Sequence, residues 1–111
     1  MSVSLMISNP INDEENNFIV PIATEKVFQN FWMPIIENLD LKWVRCFQSG
    51  IEIEREDLDF VLQDLITMQK WINIYMNSEM GTQMIERLEI LSKELIDIFN
   101  GSRSNVKVYI G

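Results

Sequence analysis

The hydrophobic pattern is most regular between residues 58 and 99, where it predicts two long amphipathic helices. In the first, apolar residues recur at alternating intervals of three and four, at Leu58, Val61, Leu65, Met68, Ile72 and Tyr75. In the second, the same spacing runs through Met84, Leu88, Leu91, Leu95 and Ile98. A short turn separates the two stripes. The sequence therefore predicts an antiparallel helical hairpin with coiled-coil-like packing, and Asn100-Gly101 predicts a left-handed end to the second helix.

The first of these helices also carries apolar residues on the side that a single buried stripe would leave polar. Phe60, Trp71 and Ile74 lie there, among charged and amide residues. Two interpretations remain open. Either a second layer covers this side of the helix, or the three residues form a docking surface or a homodimer contact.

Short apolar runs with turn residues between them predict strands in the rest of the chain. The predicted strands are residues 3–7, 18–22, 41–47, 51–54 and 106 to the terminus. Pro21 favours an edge position for the second strand, because proline cannot donate to a sheet ladder. Between the second and third strands, Thr24 is a good N-cap for a helical stripe that contains Pro34, which should kink the helix.

Together these elements give the order β-β-α-β-β-α-α-β. No internal repeat or linker interrupts residues 1–111, so we predict a single α+β domain. Its expected architecture is two layers, with helices packed on one face of a mostly antiparallel sheet.

Composition excludes most kinds of catalytic site. The 111 residues include no histidine, which excludes a Ser-His-Asp triad, a Cys-His pair and a histidine metal site. The four glycines are isolated, so no phosphate-binding loop is present. Cys46, the only cysteine, is expected to be a buried structural thiol. Glu52 and Glu54 share a predicted strand face, which leaves acid–base chemistry or cation binding open in principle, but we predict no enzymatic activity, no cofactor and no metal.

The net charge of −8 indicates which partners to expect. It argues against nucleic acid and anionic membranes, since both require basic surfaces, and it suits capture of a basic protein. The N-terminus lacks the features of a signal peptide, and no apolar run is long enough to span a bilayer. With a single cysteine, these features predict a cytoplasmic protein.

The acidic residues are concentrated between residues 52 and 64, where six carboxylates accompany Arg55 alone. This cluster is either a solvated helix start or an interaction surface. We favour the second interpretation, because Trp43, Phe47 and Tyr109 are expected to flank Glu52 and Glu54 on the sheet. The predicted partner-binding residues are Trp43, Phe47, Glu52, Glu54, Glu56, Asp59, Trp71 and Tyr109.

The compact acidic chain, with FWMPIIENLDLKW at residues 31–43 and QSGIEIEREDL at residues 48–58, resembles small acidic immunity proteins of bacterial toxin–immunity pairs. Such proteins neutralise a cognate toxin inside the producing cell. The group spans many folds, so the resemblance transfers no individual residue role. It implies an inhibitor that binds a basic toxin or nuclease. The alternative is a homodimeric structural or regulatory module, paired through Phe60, Trp71 and Ile74.

Overall fold

A four-stranded antiparallel sheet forms one layer of the structure, a computed structural model that describes residues 2–101 and 103–111. Its strands are β1 (Ser2–Ile7), β2 (Ile19–Thr24), β3 (Ile51–Ile53) and β4 (Val108–Ile110). Their order across the sheet is β2-β1-β4-β3. The first and last strands of the chain are therefore neighbours in the middle of the sheet, and β2 and β3 are its edges.

The helices form the second layer. They are α1 (Asp13–Asn16), α2 (Glu25–Val27), α3 (Met33–Leu39), α4 (Lys42–Arg45), α5 (Leu58–Tyr75) and α6 (Glu79–Phe99). A π-helical turn, Phe28–Trp32, joins α2 to α3, and a 3-10 turn, Arg55–Asp57, leads into α5. In the described part of the chain, no helix has both the length and the apolar content needed to cross a membrane.

The helices cover one face of the sheet and leave the other face open. Side chains alternate along a strand, so Leu5, Ile53 and Ile110 lie on the covered face and are fully buried. The residues that alternate with them, such as Glu52 and Tyr109, are exposed. The predicted two-layer α+β fold, with helices on one face of a mostly antiparallel sheet, is confirmed.

The predicted helical hairpin is also confirmed, since α5 and α6 pack together through the two stripes. The buried seam consists of Val61, Leu65, Met68 and Ile72 from α5 and Met84, Leu88, Leu91, Leu95 and Phe99 from α6. Each such side chain stabilises the fold by about 1.5–3 kcal/mol when it is fully buried. Tyr75, which the spacing placed in the seam, is exposed because α5 ends there. Ile98, the last residue of the predicted α6 stripe, is only partly buried, and Phe99 is buried in its place.

The segment 41–47 corrects the predicted order, because it is helical and not a strand. Leu41, Val44 and Phe47 recur every three residues and are all buried, as on one side of a helix. The carboxylate of Asp64 on α5 accepts hydrogen bonds from the backbone N–H groups of Trp43 (2.9 Å) and Val44 (3.3 Å). These two donors belong to the first turn of α4, so a side chain from another helix caps it.

The helix after Thr24 begins as predicted, and its irregularity has an unexpected form. The backbone N–H of Val27 donates to Thr24 Oγ1 at 3.1 Å. The predicted kink near Pro34 is replaced by the π-helical turn just before this proline, which absorbs the break in the hydrogen-bond ladder. The turn directs Phe28 and Trp32 into the core, where their rings stack 5.3 Å apart.

Candidate functional site

The open face of the sheet carries a row of side chains that crosses all four strands. Strand pairing aligns Ile19, Met6, Tyr109 and Glu52 in this order from β2 to β3. Ile19 is 58% exposed and Tyr109 is 36% exposed. The row therefore runs from an apolar edge at β2, over a central tyrosine, to a carboxylate at β3.

The ring of Tyr109 lies flat on the sheet because two glycines leave room for it. A Cβ atom added to Gly111 would approach ring carbon Cε2 of Tyr109 to within 2.6 Å. A Cβ atom at Gly50 would collide with the tyrosine hydroxyl group. Both glycines flank the ring from neighbouring positions of the open face, so they hold an aromatic surface in a fixed orientation beside Glu52.

Glu52 and Glu54 lie on the same face, as the sequence predicted, and Lys107 lies between them. The ammonium nitrogen of Lys107 is 3.7 Å from Glu52 Oε1 and 3.5 Å from Glu54 Oε1. Ser8 Oγ donates a hydrogen bond to the second oxygen of Glu52 at 2.8 Å. Such partly exposed ion pairs contribute at most about 1 kcal/mol each to stability. Their main effect is to hold the carboxylates in place.

Glu54 and Glu56 belong to the turn that starts α5. Glu54 and Asp57 form a reciprocal capping box, in which the backbone N–H of Glu54 donates to Asp57 Oδ2 at 3.0 Å. Glu56 is exposed. A hydrogen bond from its own backbone N–H to the carboxylate holds the pKa of Glu56 below its ordinary range. Glu56 is therefore negatively charged at neutral pH.

We call this group, comprising Glu52, Glu54, Glu56, Lys107 and Tyr109, the acidic sheet end. Three glutamates oppose Lys107 and the neighbouring Arg55, which leaves one net negative charge beside an aromatic ring. A depression of 140 Å³ lies within it, lined by Glu54, Arg55, Glu56 and residues 104–107. Pockets for small molecules are usually about 300–1,000 Å³. This depression is suited to a single side chain of another protein.

The remaining predicted partner-binding residues lie elsewhere. Trp43 is on α4, where its ring stacks on Phe60 of α5 with centroids 6.4 Å apart. Trp71 packs against Tyr75 at 5.3 Å, and Asp59 is exposed in the first turn of α5. Phe47 is fully buried, so its prediction as a partner-binding residue is wrong. The cause is the helical conformation of residues 41–47, which removes Trp43 and Phe47 from the sheet.

Two residues of the site were missed by the sequence analysis. Lys107 and Ser8 enter the acidic sheet end because β4 lies between β1 and β3. The alternation of Lys107 with Val108 and Tyr109 could have placed it on the face of Tyr109. The strand order, which brings it to Glu52, follows from long-range pairing that no local pattern encodes.

Chemically, the carboxylates of the acidic sheet end can pair with a cationic group. Among residues 2–101 and 103–111, no group of three or more carboxylate or thiol side chains is arranged to hold a metal ion. Cys46 is half-buried, less than the predicted buried thiol, and its Sγ lies 3.5 Å from the carbonyl oxygen of Lys42.

Comparison of the sequence with protein-family models finds no match, and comparisons with curated proteins and with solved structures find no match either.

Proposed function

We propose that this protein binds and neutralises a basic protein, such as a toxin or nuclease, in the cytoplasm, in the manner of a small acidic immunity protein. The observation that carries this proposal is the acidic sheet end, where Glu52, Glu54 and Glu56 outnumber Lys107 beside the fixed ring of Tyr109. The protein acts by binding and not by catalysis.

Charge supports this choice of partner. The net charge of −8 attracts a basic protein from a distance and speeds its association. At contact, an arginine or lysine of the partner pairs with Glu54 and Glu56 at the depression, whose lining also includes Arg55 and Lys107. A guanidinium group can form two parallel hydrogen bonds with a carboxylate, which gives orientation as well as affinity.

The apolar part of the open face supports a protein partner over a free cation. Tyr109 is held flat, so it loses little conformational freedom on binding, and tyrosine is among the residues that dominate binding energy at interfaces. Met6 and Ile19 continue this surface toward β2. A protein that places a basic side chain over Glu54 can cover this strip at the same time.

The test begins with affinity capture from extracts of the source cell, using the wild-type protein and two double variants. Glu54→Gln with Glu56→Gln removes two charges from the acidic sheet end. Glu37→Gln with Glu86→Gln removes two charges from exposed positions on α3 and α6, as a matched control. We expect a basic protein to be captured by the wild type and the control, and to be lost or reduced about tenfold with the first variant.

The captured protein is then purified and assayed for toxicity or nuclease activity with and without the wild-type protein. We expect inhibition at equimolar concentration, with association rates that fall as salt increases. Tyr109→Ala should weaken binding by about tenfold or more, with circular dichroism used to check folding. Equal capture by both double variants, an acidic partner, or a partner whose activity is unaffected would each overturn the proposal.

A further inference from the structure

A second surface, on the outer side of α5, is apolar and aromatic. Phe60 is 62% exposed, Ile74 is 70% exposed and Tyr75 is 69% exposed. Trp43 and Trp71 are partly buried beside them. Because α5 lies in the helical layer, this surface is separate from the acidic sheet end on the open face of the sheet. We call it the α5 outer face.

The aromatic residues of the α5 outer face form two pairs, one near each end of the helix. Trp43 and Phe60 stack nearly parallel, with an angle of 11° between their rings. Trp71 and Tyr75 form the second pair, tilted by 43°. Thr67, a small residue, lies midway on the same side of the helix, seven residues after Phe60 and seven before Ile74. Phe60 and Ile74 therefore each lie about 10 Å from Thr67 along the helix axis.

We propose that this face binds a second copy of the same chain, with the two α5 helices antiparallel and a two-fold axis near Thr67. In this arrangement Thr67 meets its own copy, where a small side chain lets the helices approach. Phe60 of one chain lies level with Ile74 and next to Tyr75 of the other. Each aromatic pair then meets the opposite pair, which is the self-complementarity that a two-fold interface requires.

Charge favours a second copy at this face over a basic protein. Two chains of net charge −8 repel each other through most of their surfaces. From Phe60 to Ile74, however, the only charged residues are Asp64 and Lys70, so this stretch is neutral. The carboxylate of Asp64 is directed at the backbone N–H groups that start α4. The α5 outer face is thus a region where two copies can meet without opposing charges of the same sign.

The exposed area of the α5 outer face limits how tightly two copies can bind. A large aromatic side chain buries about 150–250 Å², so Phe60, Ile74 and Tyr75, each about two-thirds exposed, offer roughly 100–150 Å² apiece. With the partly exposed tryptophans, two copies bury roughly 800–1,200 Å² in total, the lower limit for a specific interface. We therefore expect a weak, reversible dimer.

Sedimentation equilibrium over a wide concentration range tests this proposal. The mass should rise from 13.1 kDa toward twice that value between micromolar and near-millimolar protein. Ile74→Glu should weaken the dimer by at least tenfold, because it places a carboxylate against Phe60 of the second copy. Ile96→Glu is the matched control, since Ile96 is 39% exposed on α6 and outside this face. It should leave the dimer unchanged.

Cross-linking locates the two-fold axis. In a Cys46→Ser background, Thr67→Cys should give a covalent dimer with a short bis-maleimide, whereas Asn73→Cys, on another side of α5, should give little. Monomer at every concentration would overturn the proposal and leave the face to a different protein. A dimer that resists Ile74→Glu, or that links better through position 73, would also overturn it. Glu54→Gln with Glu56→Gln should not affect the dimer, so this result is independent of the proposed inhibitor function.

Discussion

The guanidinium group of Arg55 donates a hydrogen bond to the carbonyl oxygen of Phe99, the last residue of α6. Its other nitrogens donate to the carbonyl oxygens of Arg103 at 3.2 Å and Ser104 at 3.5 Å. The guanidinium carbon also lies 5.8 Å from the centre of the Phe99 ring. One side chain from the turn before α5 therefore satisfies the end of α6 and the segment that leads to β4, where the helix dipole favours a cation.

We predict that Arg55→Met lowers the free energy of unfolding by about 1.5–3 kcal/mol, the usual range for hydrogen bonds to a charged group. Arg55→Lys should recover less than half of this loss, because lysine keeps the charge but cannot bond several carbonyls in a fixed plane. Urea denaturation measures both. Arg87→Met is the control, since the Arg87 guanidinium donates a single long hydrogen bond among the described residues, to the carbonyl oxygen of Pro21 at 3.4 Å. A loss from Arg55→Met as small as that from Arg87→Met would contradict this account.

The end of α6 shows where local sequence signals fail. Asn100-Gly101 predicted a left-handed helix end, but Asn100 has a φ of −88°. Among the described glycines, Gly50 and not Gly101 has a positive φ. The carbonyl oxygens of Ile96 and Ile98 accept from the backbone N–H groups of Asn100 and Gly101, while that of Phe99 is bonded by Arg55, 44 residues away. Such a partner is available only because β3 and β4 pair, and no nearby residue encodes it.

The carboxylate of Asp64 suggests a second test, because it caps a helix to which it does not belong. Asp64→Ala should destabilise the protein by about 0.5–2 kcal/mol, as loss of an N-terminal cap does. Asp59→Ala removes an equal charge from the exposed first turn of the same helix, and only the dipole contribution of about 0.3–1 kcal/mol is at stake there. Thermal denaturation compares the two. Equal losses would mean that the contact with α4 contributes nothing beyond charge.

The same contact explains why α4 was predicted as a strand. Leu41, Trp43 and Phe47 share one face of an extended segment, which favoured a strand. The helical spacing of Leu41, Val44 and Phe47 extends over only seven residues, too few to indicate a helix. The helix forms because Asp64 supplies acceptors from α5. By contrast, α5 and α6 were predicted from sequence, since their apolar spacing persists over several turns. Strand alternation likewise placed Glu52 and Tyr109 on faces opposite the buried residues of their own strands, whereas their proximity follows from the pairing of β3 with β4.

Gly50 is a third point at which the structure can be tested. Its φ of 101° lies in a region that other residues rarely adopt, and the Tyr109 hydroxyl group occupies the space of a Cβ atom. Gly50→Ala should therefore destabilise the protein by at least about 1 kcal/mol. In a Tyr109→Ala background the collision disappears and only the backbone strain remains. Gly50→Ala should therefore lower the free energy of unfolding by less in this background than in the wild type. Urea denaturation of the four proteins gives this comparison, and equal losses would show that the ring does not lie against Gly50.

The carboxyl group of Glu56 gives the acidic sheet end a defined dependence on pH. A hydrogen bond from its own backbone N–H and, to a smaller extent, the charge of Lys107 lower the pKa of Glu56 from the ordinary value of 4.5. Because the pKa is lower in the folded protein, Glu56 favours the folded state at pH above its unfolded value, and this contribution is lost as pH falls through the folded value. We expect an NMR titration of the Glu56 carboxyl carbon to give a midpoint below 4.5. Lys107→Met should raise that midpoint, whereas Lys70→Met, which removes the same charge from the middle of α5, should leave it unchanged. A midpoint at or above 4.5, or an equal response to both lysine variants, would contradict the arrangement of Glu54, Glu56 and Lys107 described above.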